Sequence, residues 1–277
     1  MTATPEPIAL GAFADYHWAA RRRPFVHPVR TPTGAVLSRD APDDHPWHHG
    51  LWFTIKFVNE ENFWEEYDAY GVLRHDGVPS VRDRDGATEV AGDLDWIRPD
   101  RHSVAVREQR RWTARTLDET AYAIDFETTL TATSDVRYDR TPFTTWGGYG
   151  GLAFRGAGDW VDTRLILDDG SSHDRVLGTP SRWCALQGDA GADRAPAGIV
   201  VLTHPDTPRH PHPWYASTRA DTYGDDGWSN FLNAAFLWDA PLDVAAGVAV
   251  RFRYRVIVHD GRWSADRAEA AYQDYVG

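Results

Sequence analysis

Val248-Ala249-Val250-Arg251-Phe252-Arg253-Tyr254-Arg255-Val256-Ile257-Val258 sets Arg251, Arg253 and Arg255 against Val250, Phe252, Tyr254 and Val256 at a period of two. Successive side chains of a strand point to opposite faces, so this stretch reads as a β-strand with one apolar and one charged face. Tyr122-Ala123-Ile124-Asp125-Phe126-Glu127-Thr128-Thr129-Leu130 repeats the pattern, with Asp125 and Glu127 opposite Tyr122, Ile124, Phe126, Thr128 and Leu130. Leu51–Val58, Ser103–Ala114, Arg164–Leu167 and Gly198–Thr203 are further strand candidates, bounded by Gly, Pro and Asp-rich turns. Only Ser264–Val276 reads as a helix, placing Ala268, Ala271, Tyr272 and Tyr275 at helical spacing behind a Ser N-cap. Many strands, one helix and no βαβ alternation predict an all-β fold: a large antiparallel β-sandwich, one domain over 1–277, with a C-terminal helix at 264–276 packed on it.

Composition narrows the classes of function. Of 277 residues 42% are hydrophobic and 25% charged, which suits a soluble protein with a substantial core. No apolar run approaches the roughly 20 residues needed to cross a bilayer. Met1-Thr2-Ala3-Thr4-Pro5-Glu6-Pro7 lacks the basic start and apolar stretch of a secretory signal, so a cytoplasmic location is expected. The single Cys184 can form no internal disulfide. A net charge of -12 opposes phosphate, so nucleic acid is not an expected partner, and Arg21-Arg22-Arg23 reads as a solvated turn. Of the 29 basic residues only Lys56 is lysine, a bias that GC-rich coding would produce. The 13 tryptophans are more telling, since aromatic faces serve against the C–H faces of sugars or fill a large β core.

Asp43-Asp44-His45-Pro46-Trp47-His48-His49-Gly50-Leu51-Trp52-Phe53 packs three histidines beside two aspartates and two tryptophans. Histidine titrates nearest neutrality and is the commonest metal ligand, so the segment points to a site. Read as extended chain, it projects His45, Trp47 and His49 to one side and His48 to the other, which disfavours one metal held by all three. No metal or cofactor is therefore expected; the alternative is a single divalent ion held by His45 or His48, a histidine of the later Pro-rich stretch and a carboxylate.

Glu60, Glu61, Glu65, Glu66 and Asp68 follow the histidines. Glu60 and Glu61 read as a solvated face, whereas Asn62-Phe63-Trp64 and Tyr67 enclose Glu65 and Glu66, where desolvation raises a carboxyl pKa as a general acid requires. Thr145-Trp146-Gly147-Gly148-Tyr149-Gly150-Gly151 lacks the Lys-Ser/Thr of a phosphate loop, and no Gly-x-Ser-x-Gly elbow occurs. Val201-Leu202-Thr203-His204-Pro205-Asp206-Thr207-Pro208-Arg209-His210-Pro211-His212-Pro213-Trp214 carries four prolines and reads as a stiff loop leaving a strand near Thr203. The His45–His49 segment and this loop are expected to line one cleft.

Five ordered blocks carry a family resemblance: Arg23-Pro24-Phe25-Val26-His27-Pro28-Val29-Arg30-Thr31-Pro32, Asp44 to Phe53, Trp146-Gly147-Gly148-Tyr149-Gly150-Gly151-Leu152, His204 to Pro211, and Tyr254-Arg255-Val256-Ile257-Val258-His259-Asp260-Gly261. The combination resembles the bacterial family of unknown function labelled PmoA-like. That label borrows from a membrane-bound methane monooxygenase subunit, and the absence of a spanning segment excludes that function here. The resemblance implies a sandwich similar to the galactose-mutarotase group and a role in sugar catabolism. It also implies that histidine is kept at the positions of His45 and His48, while those of Trp47 and His49 vary. The expected function is a carbohydrate-active enzyme, a hydrolase or lyase that cleaves or rearranges a glycoside or keto-sugar by His/carboxylate acid–base chemistry. Its alternatives are an epimerase and a non-catalytic sugar-binding module. His45, His48, Glu65, Glu66 and His210 are the catalytic candidates. His27, Arg30, Trp47, His49, Trp52, Trp64, Tyr149, His204, Asp206, Arg209 and Trp214 are the candidates for binding a small-molecule carbohydrate.

Overall fold

The computed structural model describes residues 5–19, 22–141, 148–219 and 229–277. Among these, the arginine-bearing stretch is a strand, Ala249–Asp260, at the centre of a ten-stranded antiparallel sheet. It pairs on one side with Ala121–Ala132 and on the other with Ala195–Thr203. Outward lie Val104–Asp118, Ala87–Ile97 and Val72–His75 in one direction, and Trp183–Ala190, Val161–Leu167 and Ser172–His173 in the other; Ser80–Arg84 pairs Ala87–Ile97. The apolar face predicted from the alternation is buried, with Phe252, Tyr254 and Val256 all at 0% exposure.

An eight-stranded sheet covers that face, in the order Ile8–Leu10, Ala14–His17, Phe25–Val29, Leu51–Ile55, Gly150–Arg155, Phe231–Ala234, Pro213–Ser217, Arg175–Pro180. Phe53 joins the layers, its ring 5.3 Å from Phe126 and 5.2 Å from Phe252. Leu51, Phe53 and Ile55 thus enter the inter-sheet core, while Trp52 belongs to a separate aromatic cluster on the opposite face. The expected strand Leu51–Val58 divides at Lys56: Phe57–Val58 leaves for a small sheet ordered Leu242–Val244, Val136–Asp139, Phe57–Val58, Glu61–Asn62.

The described residues contain one helix, Ala265–Val276, with Ser264 as its N-cap. It packs Ala268 and Tyr272 on Ala121, Ala123, Trp183, Val200 and Ile257, the outer face of the ten-stranded sheet. Among the described residues no helix is long and apolar enough to cross a membrane. Arg21 and residues 142–147, which include Thr145, Trp146 and Gly147 of the Gly-rich stretch, lie outside the described residues.

Candidate functional site

Strand alternation builds the site on the outer face of the eight-stranded sheet. Trp52, Ala153, Tyr215 and Phe231 come from four neighbouring strands, and Phe25, Trp64 and Tyr149 join them in one aromatic cluster. Half-buried Trp47 and Trp238 pack at its margin.

The histidine segment caps this cluster, though not as extended chain. His45 N–H donates to Pro42 O (3.1 Å) and His48 N–H to His45 O (2.9 Å), so two successive turns take the place of the extended chain. The turns bring His45 and His48 onto the same side, stacked with centroids 4.6 Å apart, and send His49 elsewhere. This corrects the expected division of His45 and His49 from His48; local turn hydrogen bonds, Pro46 and the aspartates override the period-two reading.

His45 is 22% exposed and its Nδ1 lies 2.9 Å from Asp44 Oδ2. Arg155 Nη2 donates to both Asp44 oxygens, at 2.9 and 3.2 Å. Burial opposes ionisation of Asp44, but the His45 hydrogen bond and the Arg155 charge outweigh it and hold the carboxyl below its ordinary pKa. Asp44 therefore orients His45, with Trp47 edge-on at 5.2 Å and the half-exposed Tyr67 beside Trp47. Behind His45, His48 is buried, 5.1 Å from both Trp52 and Phe231. Burial, with His45 and Arg155 adding like charge, puts its pKa well below that of an ordinary histidine and keeps it neutral.

A second histidine–carboxylate chain runs underneath. Buried His49 stacks on Phe25 at 4.5 Å, with Nδ1 2.6 Å from Asp40 Oδ1 and Nε2 3.0 Å from Glu66 Oε1. Arg23 Nε donates to the same Glu66 oxygen at 3.1 Å, and its Nη2 to Trp64 O. Against a burial effect that would raise it, His49 and Arg23 bring the Glu66 pKa down to about 2. This corrects the expectation of a raised carboxyl: the bulky neighbours are present, but two cationic or donor groups reach the oxygen first. Glu65 is bound to Lys56 Nζ and Asn62 Nδ2, not to His48. Neither glutamate therefore pairs with His48 as an acid–base partner.

The Pro-rich loop does not join this face. His210 sits 3.0 Å from Thr203 Oγ1 and 3.2 Å from Tyr272 Oη of the C-terminal helix. His204 contacts Arg253, Asp206 and the Tyr275 ring. Both histidines thus lie against the outer face of the ten-stranded sheet, whereas His48 lies on the outer face of the eight-stranded one. The common cleft expected from composition is not formed; the loop instead carries the chain from one sheet to the other. Asp206 pairs with Arg253 at 3.1 Å, and Arg209 donates to the carbonyls of Phe236, Ala240 and Pro241, which fixes a turn. Trp214, expected on a ligand, is the second residue of the strand Pro213–Ser217, faces the inter-sheet core and donates to Ser181 O at 2.9 Å; its neighbour Tyr215 faces the site. Arg30 pairs with Asp15 at 3.7 Å, away from the cluster. His27 Nδ1 meets Ser38 Oγ at 2.8 Å, near enough to Asp40 and His49 to feel their charge.

Sequence reading missed Asp40, Arg23, Arg155 and Phe231. Among the described residues no group of three His, Cys, Asp or Glu side chains could hold a metal ion.

No curated protein matches the chain in sequence. Among solved structures it is similar to a galactose mutarotase related enzyme from Lactobacillus acidophilus, at 7% identity and TM-score 0.42 over 91% of this chain and 96% of that one. It is similar to a putative aldose 1-epimerase from Klebsiella pneumoniae subsp. pneumoniae, at 8% identity and TM-score 0.38, with 71% of this chain and 56% of that one covered. It is also similar to the heparan sulfate lyase HepC from Pedobacter heparinus, at 8% identity and TM-score 0.39, spanning 95% of this chain but only 38% of the lyase. At these scores the likenesses bear on neither ligand nor chemistry, and the PmoA-like label is not among them. Residues 11–273 match a family described as "Family of unknown function (DUF6807)", and the chain belongs to that family.

Proposed function

We propose that the chain is a carbohydrate-active enzyme whose acid–base residue is His45. One observation carries this reading: His45 Nδ1 is committed to an aspartate that Arg155 clamps, beside the half-buried Trp47. A carboxylate on Nδ1 fixes the tautomer and makes Nε2 the nitrogen that would exchange a proton with a ligand, as in an oriented general acid–base. Trp47 and Tyr67, centroids 5.6 Å apart, offer ring faces for the C–H face of a sugar. His48 stacks behind His45 as a positioning residue.

Hydrolysis needs a protonated carboxylic acid to deliver a proton to the leaving oxygen, and both candidate glutamates are already engaged, Glu66 by His49 and Arg23 and Glu65 by Lys56 and Asn62. Proton abstraction by His45 from an acidified C–H, as in a lyase or epimerase acting on a keto-sugar, needs no such acid. The test is turnover of aryl glycosides and their ring-oxidised keto counterparts by the wild type, His45→Gln and Asp44→Asn. We expect turnover of the keto compounds and a fall of about 10²-fold or more in kcat for both variants, with KM little changed. Undiminished kcat in His45→Gln overturns the assignment, and saturable binding without turnover by the wild type identifies a binding module instead.

A further inference from the structure

Phe57–Val58 and Glu61–Asn62 form a hairpin whose two-residue turn is Asn59-Glu60, with φ of 49° and 66°. Two successive left-handed residues make a type I′ turn, and its second position suits glycine because any Cβ there is strained. Asn59 fits its place. It tolerates the left-handed region, its Oδ1 accepts from Arg137 N–H at 2.7 Å, and its Nδ2 donates to Asp135 O at 3.1 Å. Glu60 has no such structural reason: it is exposed, and among the described residues its carboxylate meets no donor or cation.

Glu60 does line a groove of about 530 Å³ with Phe57, Asn59, Arg137, Asp139 and Arg140, a size that suits a small-molecule ligand. The other charges of the groove are already engaged. Arg137 holds Asp243 at 3.0 and 3.1 Å, and Arg140 holds Asp139 at 3.0 Å and the carbonyls of Trp238 and Asp239, both at 3.1 Å. Other turn residues such as Asp85 and Arg194 share the left-handed conformation, but Glu60 combines it with an unengaged carboxylate on the wall of a groove.

We propose that this groove is a carbohydrate-binding site separate from the His45 face, in which Glu60 accepts sugar hydroxyls and Phe57 packs against a C–H face. A cation is disfavoured, because two guanidinium groups form the walls and Lys56 Nζ already lies 5.4 Å over the Phe57 ring. An anion is disfavoured by Glu60 and Asp139. A neutral polyol with an apolar face meets the acceptor, the ring and the fixed walls together. No residue of the groove belongs to the proposed acid–base site, so the two assignments stand or fall separately.

The test titrates the full chain with glucose, galactose, mannose, maltose and cellobiose at millimolar concentration, followed by calorimetry. Saturable binding of at least one sugar is expected. Glu60→Gly should raise Tm while weakening that sugar about tenfold or more, and Glu60→Gln, with the strain kept, should leave Tm unchanged and weaken it similarly. His45→Gln should leave this binding intact. The proposal is overturned if none of the five sugars binds, if Glu60→Gly binds as the wild type does, or if Glu60→Gly lowers Tm, which would make the carboxylate structural.

Discussion

Replacing Glu66 with Gln takes away the negative charge shared by His49 and Arg23, leaving at most a neutral amide oxygen between two buried groups. Arg23 is 2% exposed and would keep its bond to the Trp64 carbonyl but lose its paired counter-ion in a low-dielectric setting. We expect Glu66→Gln to lose about 3 kcal/mol in urea denaturation, on the scale measured for breaking one side of a buried pair. Stability equal to the wild type would mean that Glu66 does not neutralise Arg23. The sign with pH is that of a depressed carboxyl: the contribution is complete above the unfolded value of 4.5 and is lost as pH falls toward about 2. At this scale the sequence was legible in part. His45, His48, Trp47, Trp52, Trp64 and Tyr149 do gather on one face, but Trp52, Trp64 and Tyr149, expected against a sugar, are buried beneath it. Arg23 was not legible, because a run of three arginines looks solvated and nothing in its composition says that the third turns inward. Lys56 was hidden in the same way: its rarity looks like coding bias until the Glu65 pair is seen.

Among elements, the C-terminal helix is the most local in its causes. Ser264 Oγ accepts from Arg267 N–H at 3.2 Å, satisfying one of the amide donors that a helix start leaves open. Ser264→Ala should cost about 1 kcal/mol, read from the urea midpoint at constant slope, with no change in His45-dependent turnover. A change in kcat would instead connect the helix to the active face. This helix and the long central strands were readable because period and capping are sequence-local properties: Tyr122–Leu130 lies within Ala121–Ala132, and the predicted N-cap is the observed one. The loop from His204 to His212 was readable as a loop but not in its destination. His204 and His210 are held by Thr203, Arg253, Tyr272 and Tyr275, contacts that depend in part on where a distant helix docks. Trp214 failed for a similar reason, since one step along a strand decides between core and site, and the prolines before it conceal where that strand begins.

For the molecule as a whole, burial of histidine sets the response to acid. His75, His212 and His259 are buried in separate parts of the structure, and desolvation lowers their pKa values to about 3, about 3 and about 4. His75 shows how the neutral form is kept: Nδ1 faces the Asp93 carbonyl at 3.2 Å, so Nε2 accepts from Tyr16 Oη–H at 2.7 Å. Each folded-state value lies below the ordinary 6.5, so between the two the unfolded chain binds more protons. The stabilisation is therefore complete above about pH 6.5 and falls as pH drops toward the folded values. At pH 5 each histidine accounts for a loss on the order of 2 kcal/mol. Two competing effects can be separated from this one. Glu66 begins to matter only below its unfolded value of 4.5. The net charge of -12 shrinks on acidification, which relieves self-repulsion and acts in the stabilising direction. We therefore expect urea-unfolding free energy to decline steadily from about pH 7 to about pH 5, with net proton uptake on unfolding in that window. His75→Gln, which still offers Tyr16 an acceptor, should flatten the slope by about a quarter or less, since His48 is held neutral by burial as well. A free energy that stays level, or rises, until carboxylates titrate would show that these histidines are not held neutral by the fold.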